Sequence, residues 1–170
     1  MKRRLWLTTA AVAAAGGAGL AWWRSQPRGT PAPAALWALE LERPQGGRLA
    51  LATLRGQPLL LNFWATWCPP CVKEMPELDR FSRDFAARGG RVLGVAIDGP
   101  APVREFLQQR PVGYDIALGG LAGTDLMRQL GNQAGVLPFT VLLDAAGHLH
   151  QSHAGETTRE ELLRWAESLG

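Results

Sequence analysis

Residues Leu59–Trp64 read Leu-Leu-Leu-Asn-Phe-Trp, an almost unbroken apolar run, and Cys68-Pro69-Pro70-Cys71 follows four residues later. A short continuous apolar run predicts a central strand covered on both faces. From Cys68 to Arg88 the chain reads as a helix, because Leu78, Phe81 and Phe85 recur at helical spacing. A buried strand that passes through a Cys-x-x-Cys turn into a helix limits the chain to an α/β layering, since the helix must cover one face of the sheet. The two cysteines are the only ones in 170 residues. A bridge across two residues closes too small a loop to constrain the unfolded chain much, so the pair reads as reactive rather than structural. A structural zinc site takes four ligands, and no second Cys pair exists to complete one. The strand–helix setting favours redox chemistry over half a metal site. A thiolate is the reactive species, and a helix N-terminus stabilises it. Cys68, at the helix start, is expected to be the exposed attacker, and Cys71, one turn in, the more buried resolving thiol.

The remaining pattern alternates strands and helices. Trp37–Leu41 and Leu49–Thr53 read as strands around a Pro44–Gly47 turn. Pro76 is expected to kink the long helix, and Gly89-Gly90 to end it. Val92–Ile97 reads as a second buried strand, Val103–Arg110 as a short helix and Tyr114–Leu118 as a short strand. Thr124 is expected to cap a helix through Leu130. Thr140–Asp144 and His148–His153 form a predicted hairpin around Ala145-Ala146-Gly147, and Thr158 opens an amphipathic helix carrying Leu162, Leu163 and Trp165. Together these predict a three-layer α/β domain.

Charge is unevenly placed. Five of the 18 basic residues lie in residues 1–30 with no acid, which leaves 13 against 15 acids in the remainder. The predicted domain is therefore slightly acidic, and nucleic-acid binding is set aside. Met1–Arg4 is basic, and Leu5–Trp23 carries no charge. This segment, 1–24, reads as an export signal or an uncleaved membrane anchor. Its length is at the border of a single span, and Trp22-Trp23 before Arg24 fits an interfacial belt. Arg3-Arg4-Leu5-Trp6-Leu7 also resembles a twin-arginine export signal. Residues 25–34, with Pro27, Pro31, Pro33 and Gly29, read as an extended linker. The folded domain is expected over 35–170.

Leu61-Asn62-Phe63-Trp64-Ala65-Thr66-Trp67-Cys68-Pro69-Pro70-Cys71, then Glu74-Met75-Pro76-Glu77-Leu78, resembles the TlpA/ResA-like family of membrane-anchored extracytoplasmic thioredoxins. Gly131–Pro138 and Thr140–Asp144 resemble the same family further along. The resemblance covers Leu36 to the C-terminus, and the N-terminal tail as well. It implies a thioredoxin-like fold with a central mixed sheet and an added N-terminal β-hairpin, supplied by Leu36–Thr53. It implies protein-disulfide reduction through a Cys68–Cys71 disulfide, with no cofactor. Disulfide-bonded exported proteins would be the substrates, often in cytochrome c maturation, with an upstream membrane dithiol as donor. The implied location is periplasmic or otherwise extracytoplasmic.

Pro138 precedes a predicted strand and reads locally as either a strand-edge proline or a cis-proline. The resemblance implies the cis form, packed against the disulfide, with the Leu137 backbone exposed to pair with an extended substrate. Glu74 lies three residues after Cys71, on the same helix face. It is either a proton donor and acceptor for the Cys71 sulfur or an exposed acid that the helix dipole favours. Thioredoxin has a buried Asp where this chain has Asn62, and Asn cannot carry a proton, so that role passes to Glu74 or to water. Trp67 is expected to form an apolar substrate platform, and Trp64 to belong to the core. His148 and His150 would share a strand face and His153 the other, which reads as strand surface rather than a metal site. A second reading of the Cys pair is a Cu(I) metallochaperone, since soft thiolates suit Cu(I). The stiff Pro-Pro spacer and the lack of Met- or Cys-rich clusters argue against it. A peroxidase of related fold is a third reading, weakened by a first loop of the wrong kind.

Overall fold

The computed structural model describes residues 29–169. The basic start, the uncharged stretch and residues 25–28 of the expected linker lie outside these residues. Eight strands form one sheet in the order β1-β8-β7-β4-β5-β6-β2-β3. The central strand β4 (Leu59–Trp64) pairs in parallel with β5 (Arg91–Ala96) and antiparallel with β7 (Phe139–Leu143). Parallel β6 (Asp115–Leu118) extends one side, and β8 (His148–Ala154) the other. The expected N-terminal hairpin, β2 (Glu40–Glu42) with β3 (Arg48–Ala50), joins β6 through Glu42 opposite Leu118. The fold is thus mixed α/β with the predicted central mixed sheet.

Alternation along β4 divides the interior into two cores. Leu59, Leu61 and Phe63 face one core with Leu93, Val95, Val141 and Leu143, covered by Leu36 of α1 (Ala34–Ala38) and by Leu126 and Met127 of α4 (Gly120–Gln129). Leu60 and Trp64 face the other. That core is covered by Met75, Leu78, Phe81 and Phe85 of α2 (Pro69–Ala86), Val103 and Leu107 of α3 (Pro100–Gln109), and Leu162 of α5 (Arg159–Glu167). Helices on both faces of the sheet give the three layers.

The long helix α2 starts where its chemistry places it. Cys68 is the N-cap, and Pro69 and Pro70 occupy the first helical positions, where a missing N–H costs no helical bond. The helix runs through Pro76 as one element. At its end Gly89 takes φ 76°, and the Gly90 N–H bonds the Phe85 carbonyl. A side chain at Gly90 would begin 2.5 Å from the Phe85 ring, so glycine serves both the turn and the packing.

Four expectations need correction. The strand expected over Trp37–Leu41 starts only at Glu40, because Trp37 and Ala38 belong to the helix Ala34–Ala38, in which the Leu36 N–H turns back onto the Pro33 carbonyl and Leu36 is fully buried. The strand expected over Leu49–Thr53 gives way to a 3-10 turn over Leu51–Leu54, which buries Leu51 and Leu54 at i,i+3. Thr124 is not an N-cap. Helix α4 starts at Gly120, and the Thr124 hydroxyl donates to the Gly120 carbonyl at 3.0 Å, the back-bond open to a Thr inside a helix. Finally, the ordered fold begins before residue 35. Thr30–Pro31 form β1 on the edge of β8, and the Ala32 N–H bonds the Gly147 carbonyl. The hairpin β7–β8 forms as expected, but its register slips, with Leu142 opposite Gln151 and Leu143 opposite Leu149. The extra residue, His150, breaks the strict alternation expected of His148 and His150.

Candidate active site

The site is built at the end of the sheet where β4 runs into α2. Cys68 and Cys71 are joined in a disulfide with Cα atoms 5.3 Å apart. Cys71 is fully buried and Cys68 retains 4% exposure. Cys68 is therefore the more accessible residue of the pair, though less exposed than expected, because it packs into the same core cluster as Cys71. The Cys71 N–H donates to the Cys68 sulfur at 3.3 Å. Pro69 and Pro70 lack an N–H, so within the motif Cys71 is the local donor onto that sulfur.

Beneath the pair lies a polar cluster in an otherwise apolar core. Glu74 is 1% exposed, which removes the exposed-acid reading. The Asn62 side-chain N–H donates to Glu74 Oε1 at 2.7 Å, and the Thr157 backbone N–H and hydroxyl donate to Oε2 at 2.8 and 3.0 Å. The same Asn62 amide nitrogen donates to the Thr140 hydroxyl at 3.0 Å. Asn62 and Thr140 stand opposite each other across β4 and β7. Burial pushes the Glu74 carboxyl up to about 7, against the lowering effect of the Thr157 and Asn62 bonds and with a small push from Glu156. Near neutral pH it therefore exists in both protonation states, which suits proton exchange. Asn62 can serve either state. Its nitrogen donates to the carboxylate, while its Oδ1, buried without a partner, can accept from the carboxylic acid once the amide turns.

Leu137-Pro138 is a cis peptide, as the resemblance implied. Since Phe139 pairs with Phe63, this dipeptide lies at the same end of the sheet as Trp64–Cys68. Pro138 is buried and Leu137 half-buried, packed against both cores. Trp67 is 66% exposed beside Cys68, whereas Trp64 is buried with its ring 5.4 Å from Phe106. Cys68, Cys71, Glu74, Trp67, Leu137 and Pro138 thus gather at one end of the fold. Of the histidines, His148 and His150 do not join them, and His153 stands opposite Thr140 across β7 and β8. His148 lies 3.4 Å from Asp144, and His150 Nε2 is 2.7 Å from the Ser168 hydroxyl.

Sequence reasoning missed four polar residues that hold this site. Thr157 and Thr140 hold the Glu74 cluster. Asn132 clasps the loop before Pro138, donating to the Val136 carbonyl at 2.7 Å and accepting from the Val136 N–H at 3.1 Å. Asp98 receives two bonds from Thr66, in the loop leading to Cys68. Thr157 is 83 positions from Glu74, so no local signal announces it. Asn132 is different: an Asn four residues before a turn of backbone could have been read as a loop clasp.

A mixed sheet with helices on both faces, a Cys-x-x-Cys disulfide at a helix N-terminus and a cis-proline at the same end of the sheet define a thioredoxin-like redox domain. The chain belongs to the Redoxin family, whose profile matches residues 27–166. The thiol-disulfide oxidoreductase ResA of Geobacillus kaustophilus is 31% identical over 128 residues, 74% of this chain and 70% of that protein. ResA of Bacillus cereus is 30% identical over 119 residues, 69% of this chain and 66% of the relative's length. Among solved structures, the thioredoxin-related protein of Neisseria meningitidis serogroup B is 32% identical with a TM-score of 0.68, covering 76% of this chain and 98% of that one.

Proposed function

We propose that this protein is a thiol–disulfide oxidoreductase that reduces disulfides in exported proteins. The observation that carries the reading is the Cys68–Cys71 pair at the start of α2 with buried Glu74 one turn beyond it. In the reduced protein the Cys68 thiolate attacks one sulfur of a substrate disulfide. That S–S bond breaks, a mixed disulfide forms on Cys68, and the departing substrate sulfur takes a proton from the medium. Cys71 then gives its proton to the Glu74 carboxylate and attacks the Cys68 sulfur, releasing the second substrate thiol. Two electrons pass to the substrate, and the Cys68–Cys71 disulfide remains. An upstream membrane dithiol restores the pair. Trp67 supplies an apolar platform, and the Leu137 backbone before Pro138 pairs with the extended substrate.

The names of the ResA relatives support the reaction, and the family resemblance supports cytochrome c maturation as the setting. The uncharged Leu5–Trp23 segment supports export and anchoring to the membrane, with the site outside the cytoplasm. Insulin reduction by the full chain tests the reaction, run beside a Cu(I) titration. Turnover with dithiol regeneration is expected. Tight stoichiometric Cu(I) binding without insulin reduction would overturn the reading in favour of a metallochaperone. The anchor is tested by fractionation: the protein should sediment with membranes, and a mature N-terminus beginning near residue 22 would leave export but remove the anchor.

A further inference from the structure

The loop Ala65–Cys68, between β4 and α2, carries both the attacking sulfur and the Trp67 platform. Inside the loop, the Cys68 N–H bonds the Ala65 carbonyl at 3.2 Å. Its tie to the neighbouring strand connection is Asp98, just after β5. One carboxylate oxygen of Asp98 accepts the Thr66 N–H at 3.1 Å and the Thr66 hydroxyl at 2.5 Å. The other accepts the Gly99 N–H at 2.7 Å, at the mouth of α3. Asp98 is half-buried. All three bonds place N–H or O–H donors on a carboxylate, the charge-assisted kind that is shorter and stronger than neutral pairs. Glu74 is buried on α2, three residues after Cys71, and has its own donors in Asn62 and Thr157. Of the two carboxylates, Asp98 is the one bonded to the active-site loop, while Glu74 is bonded to β4 and to Thr157.

We propose that Asp98 is a positioning residue for the Cys68–Cys71 couple: through Thr66 it fixes the loop that presents Cys68 and Trp67, and its negative charge biases the couple toward the disulfide. The inference rests on the redox reading above, but its main readout does not require that a protein substrate be known. Asp98 is bonded to Thr66, two residues before Cys68, and a negative charge near a thiol disfavours the thiolate. Removing that charge stabilises the reduced form and makes the potential less negative. Loss of the clamp acts differently, by letting the loop wander, which slows attack without changing the charge.

Four variants of the full chain separate the two effects. Each is equilibrated with glutathione and assayed for exchange rate, with circular dichroism to establish folding. Asp98→Asn should shift the glutathione equilibrium about tenfold toward the dithiol, about 30 mV, and lower the pH at which the Cys68 thiolate titrates. Asp98→Glu, which keeps the charge but displaces it, should restore the potential more than the rate. Thr66→Val should leave the equilibrium within about twofold yet slow exchange about tenfold, and Thr66→Ser should behave as wild type. An unchanged equilibrium in Asp98→Asn overturns the electrostatic half, and an unchanged rate in Thr66→Val overturns the clamp. A wild type with a measurable potential but no insulin reduction would count against the reductase reading alone, because the glutathione equilibria still decide the role of Asp98.

Discussion

The two faces of the sheet are built from the same strands by the same alternation, yet they hold different interiors. The face under α1 and α4 is packed with Leu59, Leu61, Phe63, Leu93, Val95, Val141 and Leu143, all apolar. The face under α2, α3 and α5 has Leu60, Trp64 and Leu142 in the same strands, but at matching depth it also holds Asn62, Thr140 and Glu74. One core is optimised for packing. The other accepts the cost of burying polar groups, and meets it with hydrogen bonds. The cysteines sit above the second. The contrast teaches that, in this fold, stability and chemistry are assigned to opposite sides of one sheet, and substitutions on the two sides should fail in different ways.

The strongest test of that division is at the sulfurs. Cys68→Ser should abolish disulfide reduction, while Cys71→Ser should hold substrate as a mixed disulfide, visible as a thiol-sensitive adduct on non-reducing gels. Both should stay folded in reductant. If Cys71 were the first thiol alkylated in the reduced wild type, the two roles would be exchanged. On the opposite face, Leu61→Ala should cost between about 2 and 5 kcal/mol in urea unfolding, the usual range for emptying a closed core site. It should leave the glutathione equilibrium of the folded fraction unmoved. A shifted equilibrium there would dissolve the distinction between the faces.

Glu74→Gln should produce the next effect. Loss of the proton acceptor for Cys71 is expected to slow reduction near pH 7 about 100-fold, equivalent to about 2.7 kcal/mol. The stability consequence has a definite sign. Burial raises the folded-state value from 4.5 to about 7, so folding favours the protonated acid. The stabilisation is fully present below about pH 4.5 and is lost as pH rises through about 7, a difference on the order of 3 kcal/mol. The oxidised wild type should therefore be less stable at pH 8 than at pH 5, and Glu74→Gln should flatten that slope. Asp79 and Asp115 are held below the usual carboxylate range by backbone and arginine donors despite partial burial. Their stabilisation is present above the ordinary Asp value and lost as pH falls through their lowered ones. That window is more acidic than pH 5–8 and does not obscure the test.

The sequence made the chemistry far easier to read than its surroundings. The apolar run of β4 and the Cys-Pro-Pro-Cys turn are local patterns, and the structure places them where those patterns put them. Thr158 opens α5 as expected, its hydroxyl accepting from the Glu161 N–H. The N-terminal region misled because Trp37, Leu39 and Leu41, then Leu49 and Leu51, fit strand alternation, while a short helix and a 3-10 turn buried Leu36, Leu51 and Leu54 instead. A run of four or five residues is too short for period 2 and period 3 to be told apart. Helix α4 misled for another reason. Thr124 has the residue type of an N-cap, but the helix already starts at Gly120, and a Cβ at Gly123 would meet Val95 and Ile97, so glycine there allows close packing within the helix. The cis state of Pro138 came from the family resemblance, not from its neighbours. Nothing near Glu74 in sequence announced Thr157 or Thr140, because their partnership exists only once β7 and the segment before α5 close over α2.

Thr140→Val gives the smallest effect and the sharpest boundary between the two interiors. It makes the polar face more like the apolar one while preserving shape. The Thr140 hydroxyl accepts from the Asn62 amide at 3.0 Å, and that same nitrogen still has Glu74 at 2.7 Å. Removing the hydroxyl therefore leaves Asn62 short of one bond without stripping the carboxyl of any. The expected cost is about 1 kcal/mol, that of a single neutral hydrogen bond, and the pH slope assigned to Glu74 should persist. Asn62→Ala makes the contrasting case, because it removes a donor from the carboxylate itself. It should push the Glu74 carboxyl higher still and move the steep part of the stability curve toward alkaline pH. If Thr140→Val moved that curve as far as Asn62→Ala, the cluster would act as one unit. Glu74 would then be tuned by the whole polar inclusion and not by its direct donors alone.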